Sequence, residues 1–243
     1  LGTGLDGTTI ASDWLTVDGL AWCNNGSENL QVVGENGLCN TAPVLHLTSP
    51  VTNIYRSSMP GFDTLEITGQ VTDVDPDQTI VIQWQIDSAD EGGWIDLGTV
   101  TSGTNVPIQG TAPIGLYDEG EHTINVRAYD GVNYSPMISR VFKMDLTIPV
   151  CGTTWAPAEA TWKTALGTAS FSLSGSNDPT ENGVASGMSA TSYSCVTGNT
   201  NGDVCQVRIK DKVGHERDCG PSPENLVDLD NPVCGDWLPS SSE

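Results

Sequence analysis

One short phrase occurs twice in this chain. Pro149-Val-Cys-Gly152 returns as Pro232-Val-Cys-Gly235, a period of 83 residues (232 − 149), and Trp155 and Pro157 return as Trp237 and Pro239 after a one-residue deletion. A repeat of that length, with cysteine and tryptophan at set places, marks one copied structural unit. The chain is therefore expected to fold as a string of small domains rather than around one large core. The second copy stops at Glu243, roughly a dozen residues after it begins, which implies further domains beyond it. Leu1 is neither an initiator Met nor part of a signal peptide, so it reads as a processed or trimmed end.

The repeat also organises the cysteines. There are seven Cys and three His, with no CxxC and no Cys/His pair at zinc spacing, so thiolate metal chemistry is a poor account of them. Disulfides formed in an oxidising compartment are the better one. Cys23 and Cys39 bracket the Gly- and Asn-rich stretch 24–37 and are expected to pair. Within the repeat, four cysteines permit three pairings. Strand order favours Cys195–Cys205 across a hairpin and Cys151–Cys219 from the first strand to the last. Cys234 is the copy of Cys151, so its partner is expected outside the chain. A free reactive thiol is the competing reading of the odd count.

Alternation supplies the strands. Leu65, Ile67 and Val71 share one side of a strand interrupted at Gly69. Ile80, Ile82, Trp84 and Ile86 alternate with Thr79, Val81, Gln83 and Gln85, and Ile124, Val126 and Ala128 alternate with Thr123, Asn125, Arg127 and Tyr129. Period two predicts an apolar inner face and a polar face in solvent. Asp130-Gly131 with Asn133 predicts a turn, and 137–143 a last strand. In the repeat, Phe171 and Leu173 alternate with serines. Segments 191–195 and 204–209 read as two strands joined by the turn-rich stretch 197–203. Four divisions follow: 1–40, the end of a preceding domain or a small capping segment; 41–146, a sandwich of about seven strands; 147–229, a disulfide-stapled repeat; and 230–243, the first strand of another copy.

Charge narrows the partners. The chain carries 31 acidic and 9 basic residues, a net charge of −22, which argues against nucleic acid as a partner, because phosphate binding requires clusters of Lys and Arg. Surplus carboxylates suit either solubility in salty surroundings or Ca²⁺, a hard cation that takes several oxygen ligands. No apolar run of 18 residues is present, so no membrane-crossing helix is expected.

Three stretches together carry a resemblance. They are Pro149-Val-Cys-Gly152 with Trp155; Ser174-Gly-Ser-Asn-Asp-Pro179 with Gly183-Val-Ala-Ser-Gly187; and Cys205–Ile209 followed by Lys210-Asp-Lys-Val-Gly214. They resemble the bacterial immunoglobulin-like repeats found in tandem in very large surface proteins. Residues 41–146, through Val71-Thr-Asp-Val-Asp-Pro-Asp77 and 119–131, resemble a second immunoglobulin- or cadherin-like module. The resemblance covers about 200 of the 243 residues. It implies an all-β chain of tandem immunoglobulin-like β-sandwich domains, exported, extracellular or at the cell surface. Such modules serve as stalk, adhesin or filament segments, sometimes calcium-stiffened. Their partners are neighbouring repeats, copies of the same protein, or a surface glycan or host-cell ligand. The alternative class is a non-catalytic, carbohydrate-binding accessory region of a secreted polysaccharide-active enzyme. Fold alone does not choose between them.

Candidate sites follow from residue type. Asp73, Asp75 and Asp77 alternate along an extended loop and are expected to project carboxylates to one side; the competing reading is a solvated acidic turn. Asp145, Asp228 and Asp230 flank domain junctions, where oxygen ligands shared with Asp178 or Glu181 would rigidify a hinge; the competing reading is linker polarity. Trp94, in a Gly-rich loop, is the candidate for glycan contact, whereas Trp84, by its phase, and Trp155 and Trp237, as repeat positions, read as packing residues. His46, His122 and His215 lie near no Gly-x-Ser-x-Gly elbow or other nucleophile signature, so no catalytic residue is expected.

Overall fold

The computed structural model describes residues 40–75, 77–88, 92–159, 161–163 and 165–228 and, as backbone, three short strands before residue 33. Cys39, Cys234, Asp230 and Trp237 lie outside the described residues, and with them the Cys23–Cys39 pairing, the orphan Cys234 and the first strand of a further copy. Every named element is a strand, and no helix among the described residues is long and apolar enough to cross a membrane. The chain divides into two compact units: residues 1–146 with Glu181–Val184, and residues 147–180 with 185–243.

The first unit opens with β1 (Leu15–Val17), β2 (Leu20–Asn24) and β3 (Leu30–Val32), an antiparallel sheet. A sandwich follows, built from β4 (Val44–Ser49), β5 (Ile54–Arg56), β6 (Thr64–Thr72), β7 (Thr79–Ile86), β8 (Ile95–Thr101), β9 (Val106–Pro113), β10 (Gly120–Tyr129) and β11 (Ile138–Met144). One sheet runs β4-β6-β9; the other runs β5-β11-β10-β7-β8, antiparallel except for the short parallel β5 edge. The core lies between them. Leu65, Ile67 and Val71 of β6 and Ile108 and Ala112 of β9 meet Ile80, Ile82 and Trp84 of β7, Ile124, Val126 and Ala128 of β10, and Phe142 and Met144 of β11. Each large apolar side chain buried this way contributes roughly 1.5–3 kcal/mol. This is an immunoglobulin-like β-sandwich of eight strands, three against five.

Two local expectations are corrected. Gly69 does not interrupt its strand, because β6 runs unbroken through it opposite Leu47. A Cβ at Gly69 would collide with the His46 carbonyl oxygen, so glycine here permits the close approach of β4. The polar side of β7 and β10 is also not a solvent face: Gln85, Asn125 and Arg127 are all buried. Asn125 is accommodated because it donates to the Ser88 carbonyl at 2.6 Å and accepts from Ser139 Oγ at 2.6 Å.

The second unit contains β12 (Thr154–Ala156), β13 (Thr161–Lys163), β14 (Ser170–Ser174), β15 (Ser192–Val196), β16 (Val207–Lys210), β17 (Glu216–Cys219) and β18 (Asn225–Val227). Its sheets are β12-β14-β15, β16-β17 and β13-β18. The core is small: Leu173, Val207, Ile209 and Cys219, with Cys151, Trp155, Met188, Tyr193 and Cys195 packed around them. The expected hairpin of 191–195 with 204–209 does not form. β15 pairs with β14, and β16 pairs with β17. The stretch 197–203 carries the chain from one sheet to the other. Asn225 holds it in place, donating to the carbonyls of Gly198 at 3.2 Å and Gly167 at 2.7 Å. Disulfides join Cys151 to Cys219 (Cα–Cα 5.5 Å) and Cys195 to Cys205 (Cα–Cα 5.9 Å). The second bond thus links β15 to the approach to β16, where no strand ladder does. Cys219 ends β17, not the last strand.

Candidate cation site

At the end of the sandwich where β4 begins, β6 gives way to β7 and β10 ends, three carboxylates are buried: Asp73 at 3%, Asp75 at 5% and Asp130 at 6% exposure. Antiparallel pairing of β4 with β6, and of β7 with β10, places these three loops together. The entering segment is strapped across them. Thr41 donates from both its backbone N and its Oγ1 to Asp75 Oδ2, each at 2.7 Å. Asn40, fully buried, accepts on its carbonyl from Asn133 Nδ2 at 3.3 Å and on Oδ1 from Gln78 Nε2 at 3.4 Å. Asp130 Oδ1 caps its own turn, accepting from the amides of Val132 at 2.7 Å and Asn133 at 2.6 Å. Asp73 Oδ1 accepts from the Asp75 amide at 2.9 Å.

One oxygen on each of two of these carboxylates is left over. Among the described residues no hydrogen bond reaches the buried atoms Asp73 Oδ2, Asp130 Oδ2 or Gln78 Oε1. Burial pushes the Asp73 carboxyl up; the Asp75 amide pulls it back, and the charges of Asp75 and Asp130 push it up again. A buried, unsatisfied polar group costs about 1–3 kcal/mol, and more when charged, unless something neutralises it. Anionic and amide oxygens with no nitrogen or sulfur donor are the ligand set of a hard divalent cation. Asp77 is exposed, at a left-handed φ of 61°, and stands outside this hydrogen-bond network. Asp130 and Asn40 belong to it, although their sequence contexts are a turn and the end of the segment 1–40. The signal available was an acidic Asp-Gly turn at the end of a strand, which reports turn geometry equally well.

The other acidic candidates divide between the two units. In the first, Asp145 is fully buried and its amide donates to the Arg56 carbonyl at 2.9 Å, while Glu181 closes an exposed turn with Val184. In the second, Asp228 is exposed. Asp178 Oδ2 accepts from the Gly187 amide at 2.6 Å and from Ser186 Oγ at 3.2 Å. Asp211, unremarked in the sequence, accepts from the amides of Val213 and His215 and holds His215 Nδ1 at 2.7 Å. Oxygens of Asp178 and Asp211 lie within 4.8 Å of each other.

Trp94 is engaged within its own unit. The Arg127 guanidinium lies 4.0 Å from the centre of its ring and 3.9 Å from that of Tyr134, which in turn stacks on Tyr129 at 4.4 Å. Arg127 Nε also donates to Gln83 Oε1 at 3.0 Å. One face of Trp94 therefore serves an internal cation–π ladder.

No family model matches the chain, and no curated protein matches it in sequence. Solved structures give partial likenesses. The FN1–FN3 domains of chicken CNTN1 are 11% identical with a TM-score of 0.32, covering 84% of this chain and 72% of that one. A tetra-tandem repeat from the extending region of a large adhesion protein is 17% identical with a TM-score of 0.28, covering 86% and 56%. An engineered protein is 15% identical with a TM-score of 0.25, and this chain spans only 21% of it. At such scores the fold rests on the chain's own strands and pairing. These define a disulfide-bonded, all-β protein of immunoglobulin-like type.

Proposed function

We propose that the chain is a structural, adhesive segment of a large exported modular surface protein, a stalk, adhesin or filament subunit, and that Ca²⁺ stiffens its first unit. The observation that carries this reading is the pair of buried oxygens, Asp73 Oδ2 and Asp130 Oδ2, which no hydrogen bond reaches among the described residues, beside the strapped entry segment 40–41. Asp73, Asp75 and Asp130 would hold the ion, with amide oxygen available from Gln78 Oε1. The ion would supply charge neutralisation and hold the three loops together. The two disulfides of the second unit fit an oxidising, extracellular setting. The role is mechanical and non-catalytic, with neighbouring repeats or copies of itself as partners and any glycan or host-cell ligand met on loops.

The test is thermal melting of the chain in EDTA and in added CaCl₂. A ligand at 100 times its Kd stabilises the folded state by about 2.7 kcal/mol. For a domain of about 100 residues that raises Tm by roughly 10 °C. Asp73→Asn is expected to remove that rise while leaving the melt in EDTA unchanged or higher, because it deletes a buried charge. An identical melt with and without Ca²⁺ refutes the calcium reading.

A further inference from the structure

At the opposite end of the same sandwich, the imidazole of His122 faces two atoms that can only accept. Nδ1 lies 2.6 Å from Asp87 Oδ2, and Nε2 lies 2.9 Å from the backbone carbonyl of Asp118. A neutral imidazole carries one N–H, and an imidazolium carries two. Both contacts are hydrogen bonds only when the ring is charged. The acceptors themselves are firmly placed. Asp87, at a φ of 58°, accepts on Oδ1 from the Thr123 amide at 2.8 Å and donates its own amide to the Thr123 carbonyl at 2.9 Å. The ring stacks on Phe142 (5.4 Å, 27°) and meets Tyr117 edge-on (5.4 Å, 65°).

We propose that His122 is a pH-operated clamp that fastens the loop 114–119 to the turn at Asp87. As imidazolium it bonds both; as neutral imidazole it must release one. At its start Ile114 is buried in the core and donates its amide to the Asp63 carbonyl at 2.9 Å; Tyr117 packs on that core and donates its amide to the Ile114 carbonyl at 3.1 Å; at its end the Glu119 carbonyl accepts from Asn182 Nδ2 at 3.3 Å; between them Leu116 is wholly exposed.

The groups around the ring set the direction. Asp87 faces it from the end of β7, Asp118 and Tyr117 from the loop, and Phe142 from β11. On the neighbouring rungs Glu121 and Lys143 pair with each other at 3.8 Å. Burial of the ring opposes its charge, but the hydrogen bonds to Asp87 and Asp118, with their negative charges, outweigh it and raise the folded pKa above 6.5. Tyr117 is also raised, by burial and by the charge of Asp87, so it stays neutral through this range. A raised folded pKa means that the clamp's stabilisation is fully present below the unfolded pKa and is lost as pH rises through the folded one.

The experiment is an NMR titration of the ring Cε1–H signals of the whole chain, with hydrogen exchange at the amides of residues 115–118 measured across the same pH range. His122→Phe assigns the signal. The expected result is a His122 midpoint above 6.5, with loop protection corrected for intrinsic exchange falling several-fold as pH passes that midpoint. In His122→Phe the pH dependence is absent. Should that variant fail to fold, Asp87→Asn carries the test, and is expected to lower the His122 proton affinity about tenfold. A midpoint at or below 6.5, or the same pH profile of loop protection in either variant, overturns the proposal.

Discussion

Removing the two disulfides of the second unit one at a time should reveal how a domain with so small a core is held. Cys151 and Cys219 are separated by 68 residues, and Cys195 and Cys205 by 10. The loop-closure model assigns the long bond about 4.4 kcal/mol and the short one about 2.7 kcal/mol. A domain of this size has a total stability of about 4–12 kcal/mol. Cys151→Ala/Cys219→Ala is therefore expected to leave the second unit marginal or unfolded at 37 °C. Cys195→Ala/Cys205→Ala should leave it folded with a lower midpoint. The loss of Cys219 compounds the first effect, since that residue is 2% exposed and belongs to the core with Leu173, Val207 and Ile209. The assay is guanidinium unfolding of both double variants and the parent, followed by circular dichroism and by NMR signals from each unit. The first unit serves as the internal control, and its transition should not move. Equal losses in the two variants, or a larger loss from the short loop, would refute the chain-entropy reasoning.

Two further substitutions probe the first unit. Gly69→Ala should destabilise it by about 1–3 kcal/mol, because the added methyl has nowhere to go but into the His46 carbonyl and β4 must shift; urea unfolding measures the loss. Arg127→Met keeps the aliphatic stem and removes the charge between Trp94 and Tyr134, and is expected to cost about 1–2 kcal/mol and to change Trp94 fluorescence; unchanged emission and stability would show that the ladder contributes nothing.

The core of the first unit was readable from alternation, because period-two burial is a local property: Ile80, Ile82 and Trp84 announce their inner face without reference to any other strand. The expectation for the polar side failed at Asn125 and Arg127 because a polar residue reports only that it needs hydrogen bonds, not whether protein or water meets them. The hairpin expected between 191–195 and 204–209 failed for a related reason. A turn-rich connection is compatible with strand pairing and with a crossover between sheets, and only the competing partners β14 and β17 decide the outcome.

The same division runs through the candidate site. The sequence alone determined that the chain is all-β and highly acidic, that Asp73 and Asp75 lie on one extended loop, and that Cys151 sits in a repeated phrase. Each of these follows from composition or from spacing within a few residues. Tertiary structure decided that Asp130 and Asn40, 57 residues and 33 residues from Asp73 in the chain, join that loop while Asp77 does not, and that His122 meets Asp87 and Asp118 at the other end. Those are encounters between strand ends, and strand pairing over long separations places them. No local pattern encodes which ends will meet.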